Sequence, residues 1–435
     1  MGKGVLRGFS SDTSVQGTND DAQVSKLSCT KAGYFRDDFI SFFVKRSARR
    51  SPLINRGYFA RYSALRQLLL DFLRTAGKDA QVLSLGAGFD TAWWQIAQDQ
   101  PELLPARYLE VDFQEVTKCK ASIVEFQPRL LELLDQHAGC GGAGAAAGAA
   151  EEAEAAGASG AGGTGAAAAV GPAEGAAAAA AGPSEAGAAA AAEAESGAGG
   201  ASGVVGAPGE ARGLGEDEAA AASTSGVCVD AAGGSITSER YRLAPVDMSQ
   251  GLSNLAAAIE AAGLDRNKPT FILSECVLVY MDPADSAAIV RWLGGHFKCA
   301  AMAVYEQLSP EDAFGQQMCS NLESRGCPLR GVYSTPTKDA HEARMTSNGW
   351  GAAQCRTMDE IYTACLDPVD KARIEKLEMF DEFEEWHMIM EHYCITVAVN
   401  SGPGGEEAAG SVLTGFGLRE VPQPAPPVLR LPLVD

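Results

Sequence analysis

The chain has 435 residues, 46% of them hydrophobic, and a net charge of −21. That acidity excludes a general polyanion binder, because phosphate contacts need clustered Lys and Arg. The eleven cysteines are odd in number and form no CxxC pair, which argues for free thiols in a reducing compartment and against a disulfide framework.

In chain order, residues 1–13 read as a loose N-terminus. MGKGVLRGFS has no apolar signal core, and Leu6 stands where a myristoylation signal needs Ser or Thr. No long uncharged apolar stretch could span a bilayer, so the expectation is a soluble monomer, cytoplasmic with a nuclear share left open, that engages neither membrane nor nucleic acid. From 32 to 75, Phe39, Phe42 and Phe43, then Leu65, Leu68, Leu69 and Phe72, recur at helical steps. This region contains KRSARRSPLINRGYFARYSALRQ, with seven basic residues and no acid. It reads either as a solvated helix face or as a docking surface for an anionic partner.

Strand-like segments follow at 81–86, 106–112, 240–247, 270–280, 299–307, 352–359 and 392–400, with helical patterns between most of them. Continuous apolar strands alternating with helices predict an α/β fold with a mainly parallel, doubly wound sheet. Between the second and third strands, residues 139–226 are almost entirely Ala and Gly, with eleven acids against the single base Arg212. Too little apolar surface is available there to offset ordering entropy, so a disordered insert is expected. A single domain over 14–138 and 227–400 remains, followed by a Pro/Gly-rich tail at 401–435. RIEKLEMFDEFEEWHMIM predicts one long amphipathic helix whose Leu377, Phe380 and Phe383 reach the core. His387 and His392 are five apart, which does not place two metal ligands on one helix face.

VLSLGAGFDT carries the first chemical signal. Gly86 and Gly88 end the first strand, where bare backbone and positive φ let a ligand lie against the main chain. A dinucleotide fingerprint needs a third glycine where Thr91 stands. The next strand closes in Asp112, suited to ribose hydroxyls, and the pairing of Gly-x-Gly with that acid points to S-adenosylmethionine. Asp247 closes the third strand. Glu275, in an apolar strand, either pairs with a neighbouring Arg or faces the cofactor, because a lone buried carboxylate is costly.

VQGTNDDA, INRGYFARY, LSLGAGFDT, YLEVDF, ECVLVYM, YEQ with FGQQM, NGW and HYC together resemble the leucine carboxyl methyltransferases, over roughly 14–130 and 234–400. The resemblance implies a seven-stranded, Rossmann-like methyltransferase sheet with an N-terminal helical lid. It also implies methylation of the C-terminal leucine carboxylate of the protein phosphatase 2A catalytic subunit. S-adenosylmethionine would then lie against Lys26, Arg61, Gly86, Asp112, Asp247, Met248 and Glu275. Met248 departs from the family's more frequent Leu. Arg61, whose fork suits a carboxylate, and the hydroxyl of Tyr280 are the expected catalytic contacts. Three rivals stand beside this reading: a related methyltransferase of a modified transfer-RNA base, a small-molecule O-methyltransferase, and an inactive module that shields the phosphatase tail. The first carries a long C-terminal propeller, which a chain ending 35 residues after its last strand segment does not suggest.

Overall fold

The computed structural model describes residues 11–138, 226–400, 413 and 415–422, with side chains from 18 onward. Residues 1–10, the Ala/Gly insert to 225 and most of the tail lie outside the described residues.

Helices α1 (Ser11–Ala32), α2 (Ile40–Phe43) and α3 (Pro52–Ala76) precede the sheet. Proline suits the first turn of α3, where its missing N–H would have no helical partner. Gly77, at φ +70°, closes the helix in a conformation side chains resist. Leu65, Leu68, Leu69 and Phe72 are buried as their spacing predicts, with Phe39 and Phe43 beside them.

The sheet comprises β1 (Gln81–Leu85), β2 (Arg107–Asp112), β3 (Cys228–Asp230), β4 (Ser235–Thr237), β5 (Tyr241–Pro245), β6 (Thr270–Glu275), β7 (Ala300–Gln307), β8 (Ala352–Thr357) and β9 (Tyr393–Asn400). Their spatial order is β3-β4-β5-β2-β1-β6-β7-β9-β8. Strands β5, β2, β1, β6 and β7 run parallel, while β9 runs antiparallel between β7 and the edge strand β8. The chain leaves β1 for β2 on one side and reaches β6 on the other, which opens a crevice at the carboxyl ends of these strands. Helices α4 (Ala92–Asp99), α5 (Gln114–Phe126), α6 (Pro128–Gln136), α7 (Leu252–Ala261), α8 (Pro283–His296), α9 (Ala313–Ser324) and α10 (Lys338–Thr346) connect them. One core layer packs Val82, Tyr108 and Phe271 with Trp93, Trp94 and Phe72. The other packs Leu83, Leu109 and Ile272 with Ile289 and Phe297. Alternate residues of each strand face opposite layers, as the two-residue period of a strand requires.

Three expectations need correction. Among the described residues the sheet has nine strands where seven were expected, because β3 and β4 form an antiparallel hairpin on the β5 edge. At three residues each, these strands are too short to display a period. The apolar run 270–280 is not one strand. It stops at Glu275, Cys276 takes φ +56°, and Leu278–Tyr280 close a 3-10 turn. The long helix is broken into α11 (Pro368–Ile374) and α12 (Phe383–Glu391). Between them Glu378 accepts hydrogen bonds from Asn55 (2.9 Å), Tyr34 (3.1 Å) and Arg49 (3.0 Å), tertiary contacts that override local helical periodicity. Leu377 and Phe383 are consequently 37% and 55% exposed, while Phe380 packs inward beneath the Arg56 guanidinium at 3.7 Å.

Candidate active site

A cavity of about 540 Å³ opens at the carboxyl ends of the parallel strands, walled by α1, α3, α9 and α12. Its floor is the glycine turn. Gly86 and Gly88 hold φ of +57° and +53°. A Cβ on Gly86 would lie 2.5 Å from Val277 Cγ2, and one on Gly88 would lie 2.4 Å from Asn19 Oδ1. No side chain fits at either position. Asp112, ending β2, accepts the Gly88 N–H at 2.6 Å and the Phe113 N–H at 2.7 Å, so the acid and the turn are one unit. Burial pushes its carboxyl above the ordinary value despite those two amides. Asn19 Oδ1 accepts the Phe89 N–H at 3.0 Å and fastens α1 to the turn.

Glu275, at the end of β6, anchors the charged centre. Its Oε1 accepts a hydrogen bond from Arg61 Nε and lies 3.7 Å from Lys26 Nζ, which also approaches Asp90 at 3.9 Å. The guanidinium of Arg61 sits over the Tyr305 ring at 4.4 Å, a cation–π contact that fixes its plane. Burial raises the Glu275 carboxyl, but Arg61 and Lys26 outweigh it and hold the group at about 2. Burial likewise works against the charge on Arg61, and Glu275 reverses that balance. Both readings of Glu275 therefore meet in one residue, which pairs with an arginine and also lines the cavity.

Of the residues singled out from sequence, Lys26, Arg61, Gly86, Asp112, Met248, Glu275 and Tyr280 all line this cavity. Asp247 does not. It stands two residues beyond the end of β5, and its carboxylate accepts from the backbone and hydroxyl of Ser249 at 2.9 and 2.6 Å, shaping the turn that presents Met248. Tyr280 sits in the 3-10 turn after β6 rather than at a strand end, against Met318 and Leu322 of α9. The basic run around α3 is not one surface. Arg61 enters the cavity, Arg56 is buried over Phe380, and Arg50 faces Ser25 and Asp21 of α1; Lys45, Arg46 and Arg49 remain exposed.

Sequence reasoning did not single out Asn19, Gln23, Tyr305 or Gln307 as site residues, although all four line the cavity. NDDA and YEQ were visible as motifs, but nothing in their spacing pairs them with a glycine turn or an arginine. Gln23 Oε1 and Gln307 Oε1 are buried and make no hydrogen bond. Buried polar atoms are ordinarily satisfied, and a polar molecule in the cavity would satisfy these. Bare glycines, an oriented ribose-type acid and two unmet acceptors fit an adenosyl amino acid cofactor, for which Lys26, Arg61, Asp112 and Glu275, all on the cavity wall, would be the polar contacts.

The model of the family described as leucine carboxyl methyltransferase matches residues 16–134 and 222–294. A leucine carboxyl methyltransferase 1 homolog of Arabidopsis thaliana is 37% identical, covering 91% of this chain and 92% of its own length. The Homo sapiens tRNA wybutosine-synthesizing protein 4 is 31% identical over 88% of this chain, which spans only 44% of that longer protein. Leucine carboxyl methyltransferase 1 of Bos taurus is 28% identical, over 90% of this chain and 91% of its own.

Proposed function

The chain belongs to the leucine carboxyl methyltransferase family, and on that premise we propose that it methylates the C-terminal leucine carboxylate of the protein phosphatase 2A catalytic subunit. It is a methyltransferase enzyme of carboxyl groups, and its cofactor is S-adenosylmethionine. When bound, that cofactor supplies an electrophilic methyl group. The observation that carries the reading is that the glycine turn with Asp112 and the Arg61–Glu275 pair open into one cavity, so a donor and a gripped carboxylate share one chamber.

A terminal carboxyl group titrates near pH 3.3–3.7 and is already a nucleophile at neutral pH, so no general base is required. The protein's task is to orient the carboxylate and exclude water. Arg61 donates Nε to Glu275, which leaves its terminal N–H groups to grip the substrate carboxylate in two parallel hydrogen bonds. An unopposed arginine would over-stabilise the ground state and slow the attack. Glu275 moderates this by drawing part of the guanidinium charge. The Tyr280 hydroxyl is a second donor to the same carboxylate. Gly86, Asp112 and Met248 would hold the cofactor, and Lys26 and Glu275 would meet its charged groups. Helices α1 to α3 act as a lid over it, with Asn19 linking lid to glycine turn.

The enzyme works as a monomer in the cytoplasm, a setting that suits its ten free cysteines among the described residues. The exposed Lys45, Arg46 and Arg49 steer the phosphatase, which makes association salt-sensitive. Identity to the wybutosine-synthesizing relative favours a second reading, in which the carboxylate belongs to a transfer RNA. Radiolabelled S-adenosylmethionine decides between them. It is incubated with the phosphatase subunit, with a version lacking the terminal leucine, and with transfer RNA. Label on the intact subunit alone supports the proposal; label on the RNA alone or on neither protein defeats it.

A further inference from the structure

We propose that His392 is a positioning residue for this reaction. It clamps the start of α9 to the last turn of α12 and so fixes the apolar wall on which the substrate's terminal side chain rests, an inference that depends on the function proposed above.

His392 is 5% exposed and belongs to HYC, a motif with no part in the charged centre. Its Nδ1 lies 2.7 Å from the carbonyl oxygen of Met388 in α12. Its Nε2 lies 2.9 Å from both carboxylate oxygens of Asp312, the residue that caps α9. A carbonyl and a carboxylate oxygen are both hydrogen-bond acceptors, so each ring nitrogen faces an acceptor, one on either helix. Burial works against the charge of Asp312, but the Gly315 amide at 2.8 Å and His392 outweigh it and keep the carboxyl below its ordinary value. The Phe314 ring packs on the imidazole with centroids 4.5 Å apart.

The two clamped helices supply much of the cavity's apolar wall. Phe314 and Met318 come from α9, and Trp386, Ile389 and Met390 from α12. Tyr393, next in the chain, stacks on Tyr305 at 5.5 Å, and Tyr305 carries Arg61 on its other contact. His392 thus sits where the apolar wall meets the carboxylate grip, touching neither reacting group. Its two bonds set the spacing of α9 and α12, and with it the fit of a branched aliphatic side chain beside the gripped carboxylate. The glycine turn and Asp112 are held separately, by each other and by Asn19.

The test uses the full chain with His392→Gln, Asp312→Asn and the double variant; Asn preserves the helix cap while removing the charge. Each single variant should raise KM for the phosphatase subunit about tenfold, with kcat and S-adenosylmethionine affinity within about twofold of the unaltered protein. The double variant should be no worse than the weaker single one, because both break the same clamp. Effects that multiply in the double variant, a parallel loss of cofactor affinity, or an unchanged KM would overturn the proposal. Ring ¹⁵N shifts of His392, assigned by their disappearance in His392→Gln, should move in Asp312→Asn because the ring loses its carboxylate contact. If the unaltered protein methylates no phosphatase, the proposed function fails, and these shifts alone decide the clamp: a ring unchanged by Asp312→Asn rejects it.

Discussion

Two acid–base pairs stand on the strands that flank β1, Glu110 on β2 and Glu275 on β6, and they are built for opposite purposes. Glu110 and Lys120 are both 0% exposed, with Tyr241 donating to the same carboxylate oxygen at 2.8 Å and Glu110 Oε1 without a partner. Glu275 and Arg61 keep 15% and 12% exposure at the cavity wall. Burial pushes both acids up. For Glu110 it prevails over Lys120 and lifts the carboxyl to about 7; for Glu275 two cations reverse it and hold the carboxyl at about 2. The difference teaches that an acid's charge is secured by how many cations share it. The sealed pair stitches α5 to the sheet, whereas the cavity pair holds a charged fork ready for a ligand.

Removing the fork should have the largest effect. Arg61→Ala is expected to lower turnover roughly 10³-fold by removing the carboxylate grip, and Arg61→Lys should restore little because a lysine has no fork. Steady-state kinetics with the phosphatase subunit check this, and an Arg61→Ala enzyme of normal turnover would remove the distinction between the two pairs.

Breaking the sealed pair should show in stability. Lys120→Met leaves a buried acid uncompensated and should cost about 3–5 kcal/mol in urea unfolding at pH 8, with most of it recovered by adding Glu110→Gln. Recovery of nothing would mean that Lys120 acts through its bond to the Asp90 carbonyl instead.

The pairs should also respond to pH with opposite signs. Glu110, whose folded value is raised, holds a proton that the unfolded chain releases, so its contribution falls as pH rises from about 4.3 to 7. Glu275, whose folded value is depressed, contributes fully above about 4.3, and that contribution is lost as pH falls towards 2. Each effect is of order 3 kcal/mol at most. Unfolding of Glu110→Gln and Glu275→Gln across pH 3 to 8 separates them, and Glu110→Gln should flatten only the neutral side. Tyr280→Phe is the mildest change, expected to reduce turnover about fivefold through one hydrogen bond, with cofactor affinity unchanged in a direct binding titration.

Much of the site could be read before any coordinates. Gly86, Gly88 and Asp112 signal themselves because a ligand-binding turn requires bare backbone at a strand end and an acid at the next, and both are local. Arg61 and Lys26 came from motif resemblance; no spacing rule connects residues of α1 and α3 to Glu275, more than two hundred positions away. Asp247 stands apart, because an acid near a strand end looks the same in sequence whether its carboxylate faces a cavity or, as here, the backbone of Ser249. Gln23 and Gln307 were not singled out as site residues, since a polar atom's lack of a partner exists only in the folded arrangement.

The sequence by itself determined the alternation of helix and buried strand, the parallel core of the sheet and the position of the glycine turn, because these follow from periodicity and backbone sterics within a few residues. Tertiary structure decided where the run after Glu275 turns, how 373–390 divides around Glu378, which arginine of a basic run enters the cavity, and that His392 bridges two helices. Those outcomes depend on which distant group each charge or donor meets, and burial makes that meeting outweigh local preference.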